Sequence, residues 1–173
     1  MTPVRLAAHA TLATLAASTF ARDAAARGEG GEGLQALPAT GWYLPVGINA
    51  GVAGIGSHDV GAILGGEASV ARLTGHTQWF GVYADGGYMT NGRALRFSGG
   101  PEAGLGFIGI DGGFLDVVES GHNLVGFTVR PLLTIGFLAV YGRWDHTFSS
   151  GGQDTGQIGV LVKWPIPLEG QHL

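Results

Sequence analysis

The chain has 173 residues, among them 33 glycines and no cysteine, with only 13% charged residues and a formal net charge of −4. A soluble domain usually carries ~25% charged residues, so this composition is poor material for a water-facing exterior. The lack of cysteine excludes disulfides, thiol catalysis and cysteine-held zinc, and the mildly acidic balance leaves no footprint for nucleic acid.

Residues 1–21 read as an export signal. Arg5 supplies the positive start, Leu6 to Ala21 is rich in alanine and leucine, and Thr19-Phe20-Ala21 offers a small-x-small cleavage site before Arg22. Residues 22–40 are small, polar and glycine-rich and read as a flexible linker. No later stretch approaches the ~18 uninterrupted apolar residues that a membrane helix requires.

From Gly41 onward the pattern changes to strict alternation. Trp42, Leu44, Val46, Ile48, Ala50 and Val52 fall on one face of a ribbon, and Tyr43, Gly47, Asn49 and Gly51 on the other. The same period recurs in eight predicted strands: Gly41–Gly54, Val60–Leu73, Thr77–Met89, Ala94–Leu105, Ile108–Val117, Asn123–Leu133, Ile135–Phe148 and Thr155–Ile166. These are longer than the ~5–6 residues of a common globular strand and suit the ~9–11 or more of a tilted bilayer-crossing strand. Polar, glycine-containing connections follow the odd strands. Tighter turns follow the even ones, near Thr74-Gly75-His76, Gly106-Phe107 and Thr134. The last two are weakly marked, so six or ten strands also fit. Together these features predict an all-β, up-and-down antiparallel transmembrane barrel over residues 41–168, with a short tail at 169–173.

Read in register, the apolar set continues through Val60, Leu64, Phe80, Val82, Leu95, Phe97, Ile108, Ile110, Phe114, Val125, Phe127, Val129, Leu133, Leu138, Val140, Trp144, Ile158, Val160, Val162 and Trp164. The opposite set is mostly glycine with isolated ionisable groups. Glu67, Asp85, Glu102 and Asp111 supply negative charge, and Arg96, Arg130, Arg143 and Lys163 supply positive charge. Tyr83, Ser98, Thr128, Tyr141 and Gln157 add hydroxyl and amide groups. In a soluble calyx that binds an apolar ligand, this sparse set would be the water-facing surface. Turned inward, it fills an eight-stranded lumen with mutually paired charges while the apolar set meets lipid. The second arrangement is the expectation, with the calyx as alternative.

On this pattern, the region from Gly41 to Ile166 resembles the small eight-stranded outer-membrane β-barrels of Gram-negative bacteria, the OmpA-like and OmpX-like barrels. The last strand, with Ile158, Val160, Val162 and Trp164, is similar to the alternating C-terminal strand that barrel-assembly machinery reads in that family. It differs in running on through Pro165 to Leu173 rather than stopping at a terminal aromatic. The resemblance implies a monomer in the outer membrane, with lipid and the assembly machinery as its partners and no cofactor. Trp42, Tyr43, Trp79, Phe80, Tyr88, Trp144, Phe148 and Trp164 lie mostly near strand ends, where interfacial aromatic belts belong.

Catalytic signals are thin. Glycine spacings such as Gly47-x-x-x-Gly51 sit within strand alternation, not at a phosphate-binding turn before a helix. His58, His76, His122 and His146 are scattered singly, without zinc-ligand spacing. His58-Asp59 and Asp145-His146 read as solvated rim residues. The stretch from Arg143 to Ser150 is faintly similar to the late strand of outer-membrane lipid A deacylases, which carries a His and a Ser. Here Phe148 stands two residues after His146 where the serine is expected, and the last strand, with Gln157 and Lys163 as its polar residues, offers no acid. A lipid-modifying enzyme is therefore the second alternative. The eight lumenal charges read as a plug that leaves no open water column.

Overall fold

Period-two alternation gives strands throughout the described residues of the computed structural model, which are 40–55, 59–74, 77–90, 92–119, 122–148 and 154–168. The predicted signal, nearly all of the linker and the 169–173 tail lie outside them. The strands are β1 (Gly41–Ile55), β2 (Asp59–Thr74), β3 (Gln78–Met89), β4 (Ala94–Leu105), β5 (Ile108–Glu119), β6 (His122–Ile135), β7 (Leu138–Thr147) and β8 (Asp154–Pro167). Each pairs antiparallel with the next, and β1 pairs with β8, so the sheet closes into an up-and-down barrel. Among the described residues there is no helix.

The stagger of the closed sheet follows from its register. From Gly41 the pairing runs through Leu73, Trp79, Gly104, Gly109, Leu132, Tyr141 and Gly159 and returns to β1 at Gly51, ten residues along. A stagger of this kind tilts the strands by roughly 35–45° to the barrel axis.

One turn differs from the sequence expectation. The β6–β7 hairpin turns at Gly136-Phe137, not at Thr134, with Ile135 opposite Leu138. Gly136 has φ +61°, as Gly106 has +59° in the matching Gly106-Phe107 turn between β4 and β5. Two-residue hairpins that match strand twist need a positive φ at the first position, and glycine supplies it without steric cost. Gly-Phe also occurs in mid-strand at Gly113-Phe114 and Gly126-Phe127, so the dipeptide does not mark the turn, and the apolar flanks hide it.

Three prolines leave their mark on the sheet. Pairing is interrupted beside Pro45 between β1 and β2, beside Pro101 between β4 and β5, and beside Pro131 between β6 and β7, while the register on either side is unchanged. Each ring removes the N–H that the neighbouring strand would have accepted.

The two faces separate as the alternation requires. Ile48, Val60, Leu64, Ile108, Phe114, Ile158 and Trp164 are among many large apolar side chains exposed on the outside. Inside, an apolar layer of Ala53, Ile63, Met89, Ala94, Leu115 and Val117 fills the end near the β3–β4 and β5–β6 connections, called here the loop end. On the wall formed by β6, β7 and β8, Leu132, Ala139, Tyr141 and Leu161 form a second apolar cluster. Close approach in the lumen depends on glycine. A Cβ at Gly104 would lie 2.3 Å from the Trp79 indole and one at Gly109 would lie 2.6 Å from it, so that ring lies across both strands. A Cβ at Gly113 would sit 2.1 Å from the Gly99 carbonyl oxygen.

These contacts predict opposite outcomes for two glycines of the same sheet. Gly113→Val should lower unfolding stability by about 1–3 kcal/mol or prevent barrel formation, because backbone must move. Gly142→Ala, where nothing lies within 4 Å, should stay within about 0.5 kcal/mol of the parent chain. Denaturant titration followed by circular dichroism measures both, and equal losses would contradict this packing.

Candidate functional site

The middle of the lumen holds the chain's densest chemistry. All eight charged residues expected to face inward do so. Glu67, Asp85, Arg96, Glu102, Asp111, Arg130 and Arg143 are buried, and Lys163 is part-buried. Asp145 joins them, which corrects its reading as a rim residue. It is 3% exposed and pairs with Arg96. The lumen therefore holds five acids against four bases. The signal for Asp145 was its place two residues after Arg143, on the same face of β7.

The sheet puts like charges side by side. Glu67 is directly opposite Asp85 across β2 and β3, and Glu102 is directly opposite Asp111 across β4 and β5. Directly opposed like charges are unfavourable, and buried ones are tolerated only with bonded counterions. The cations come from the far wall. Arg130 on β6 donates through Nη1 to Glu67 Oε2 on β2 at 2.5 Å. Arg143 on β7 donates to Asp85 on β3. Lys163 on β8 donates to Glu102 Oε2 on β4 at 3.1 Å. In a ring of eight, each of these strand pairs stands four apart, so all three ion pairs cross the barrel diameter.

Further links join the three braces, with Arg130 Nη1 3.8 Å from Asp85 Oδ2 connecting the Arg143 brace to the other two. Arg130 Nε donates to Asp111 Oδ2 at 2.7 Å, and Lys163 Nζ lies 2.5 Å from Glu67 Oε1. Arg96 holds Asp145 by two bonds, Nε to Oδ2 at 2.8 Å and Nη2 to Oδ1 at 3.0 Å. Its Nη1 donates to Asp85 Oδ1 at 2.9 Å. Ser98 also donates to Asp85, and Thr128 Oγ1 accepts from Arg96 Nη2 at 3.2 Å. Arginine suits this place because its planar fork serves several carboxylates at once. The Arg130 guanidinium also lies between two aromatic rings, 5.1 Å from the Tyr83 centroid and 5.4 Å from that of Tyr141. Desolvated cation–π contacts of this kind add to the ion pairs.

The outside is organised differently. Its charged side chains in the strands are Arg72, near the end of β2, Asp116, near the end of β5, and the His146–Asp154 pair where β7 and β8 adjoin. Between these levels no charged side chain points outward among the described residues. Aromatic rings gather near the strand ends. Trp42 packs on Phe80 and Phe137 stacks on Trp164 at the turn end, whereas Phe127 contacts Trp144 and Phe148 toward the opposite, loop end.

The expectation that the last strand lacks an acid for His146 is corrected too. Asp154, the first residue of β8, puts Oδ1 2.7 Å from His146 Nδ1, and both side chains are substantially exposed. Asp154 stands one residue before the start that the alternation predicts for this strand, at Thr155. Ser149, like His58 and His76, lies outside the described residues. Among the described residues no group of three or more acids and histidines is arranged to hold a metal ion. Compared with protein-family models, curated proteins and solved structures, the chain matches none.

The network predicts an order of sensitivity. Arg130→Leu should cost about 3–5 kcal/mol of unfolding free energy, because Glu67 and Asp111 would be left buried without their shared cation. Adding Glu67→Gln and Asp111→Asn to that variant should restore part of the loss. Lys163→Leu should cost less, since its side chain is 21% exposed and water can replace it. Equilibrium unfolding of the four proteins tests the ranking, and an Arg130→Leu barrel as stable as the parent would refute it.

Proposed function

We propose that the protein is an outer-membrane β-barrel with a plugged, charge-paired interior, exported on residues 1–21 and working as a structural or surface-interaction element rather than a catalyst. The observation that carries this reading is the reversed polarity of the two faces. Ionised side chains lie inside and apolar ones outside. A strand of about ten residues, rising ~3.3 Å per residue and tilted by ~40°, spans about 25 Å, the height of the apolar band on outer-membrane barrels. The charge-free level of the exterior and the aromatic clusters near both ends fit such a band. Three ion pairs across the diameter support a closed lumen with no conducting path. They also leave little room for the apolar ligand of a soluble calyx.

A second reading has one observation in its favour. The Asp154–His146 pair on the outward rim has the arrangement that the base and its orienting acid take in a hydrolytic site. Comparing the lipids of cells with the wild-type chain, the His146→Ala variant and no protein tests it, and identical lipid profiles would end this alternative.

For the main reading, the full chain is expected to partition into the detergent phase and to migrate differently on gels before and after boiling. A lipid-soluble photoreactive probe should label Leu64 and Val129 and spare Glu67 and Arg130. A folded chain that stays in the aqueous phase would favour the calyx and overturn the membrane reading.

A further inference from the structure

β8 outruns its neighbour. Its ladder with β7 begins at Val162 opposite Leu138, and the Lys163 N–H still reaches the Phe137 carbonyl at 2.8 Å. Beyond that point β8 continues along β1 alone, with Pro165 opposite Pro45, Ile166 opposite Leu44 and Pro167 opposite Tyr43. The Leu168 N–H donates to the Trp42 carbonyl at 3.0 Å.

In an antiparallel ladder each residue directs its N–H and C=O to the same neighbour, and successive residues alternate between neighbours. Leu168 bonds toward β1, so Ile166 and Trp164 do as well. Lys163 bonds toward β7, so residues 165 and 167 also face that side. Among the described residues no strand covers the edge there. Both positions are proline. The other strand prolines, Pro45, Pro101 and Pro131, each interrupt a pairing with an existing neighbour. Pro165 and Pro167 interrupt none, because among the described residues no strand lies on that side of them.

We propose that Pro165 and Pro167 close the overhanging edge of β8 against strand addition by a second copy of the chain. An open edge is a template for another strand, and proline is one of the residues that blunts it. The overhang matches itself. Two copies related by a two-fold axis at Ile166 would pair residue 165 of one with residue 167 of the other, and all four positions lack the N–H required. Carbonyls remain on the edge, but an incoming strand finds no donor for its own. This inference does not depend on whether the outward face meets lipid or water.

The chain has no cysteine, so Ile166→Cys introduces a single thiol at the centre of the hypothetical pairing. The full-length Ile166→Cys chain and the same chain with Pro165→Val and Pro167→Thr are folded in detergent, and each barrel is checked by gel migration before and after boiling. Oxidation followed by sedimentation should find the first monomeric and the second several-fold richer in disulfide-linked dimer. Ile166→Cys with Pro167→Thr alone should fall between them, and it carries the test if the triple variant does not fold. Equal cross-linking with and without the prolines, or a proline-free edge that stays monomeric over the same concentrations, would overturn the proposal.

Discussion

Charge neutralised across the diameter of a narrow barrel is the constraint on which the other features depend. Glu67 and Asp85 are neighbours on adjoining strands, as are Glu102 and Asp111, so no acid has a base directly opposite it in register except Asp111, which faces Arg130 across β5 and β6. Relief comes from the opposite wall, and the long, many-donor side chains of Arg130 and Arg143 span the gap. A wider barrel would leave those reaches unmet and admit water. A narrower one would have no room for the guanidinium groups.

That economy of space explains the glycines better than turn chemistry does. Nine inward charged side chains and several aromatic rings share one lumen, and the wall opposite a large group is often bare backbone. Trp79 lies against Gly104 and Gly109, and Tyr141 lies against Gly159. The composition is thus a packing requirement of a filled interior. The same filling packs apolar clusters against the network, and burial of this kind is what makes pairing of its charges necessary.

The period-two pattern makes the strands and the facing of every predicted lumenal residue legible from the chain alone, because alternation is a local property, whereas weakly marked turns leave six, eight or ten strands open. What lay beyond it was of two kinds. The Gly136-Phe137 turn is hidden by its apolar flanks, whereas Asp145 carries a readable signal in its place two residues after Arg143 on the same face of β7. The braces were of the other kind. That Arg143 meets Asp85 rather than Glu102 depends on a stagger accumulated around eight strands, and no window of sequence contains it. The Asp154–His146 contact likewise depends on how far β7 and β8 extend, which propensity places only to within a few residues.

The lumenal charges also bear on how one register is chosen. A barrel that was apolar on both faces would lose little by slipping one residue, since each side chain would exchange one greasy surface for another. Here a one-residue slip of β6 would carry Arg130 and Thr128 outward and bring Phe127 and Val129 into a lumen that is already full. Buried ion pairs are weak sources of net stability compared with apolar packing of similar volume. Their larger effect is on the alternatives, because every shifted pairing exposes an ionised group to the apolar exterior and orphans its partner across the barrel. On this argument Arg130, bonded to Glu67 and Asp111 from β2 and β5 while carried by β6, ties three strands to one alignment and contributes more to the uniqueness of the fold than to its depth.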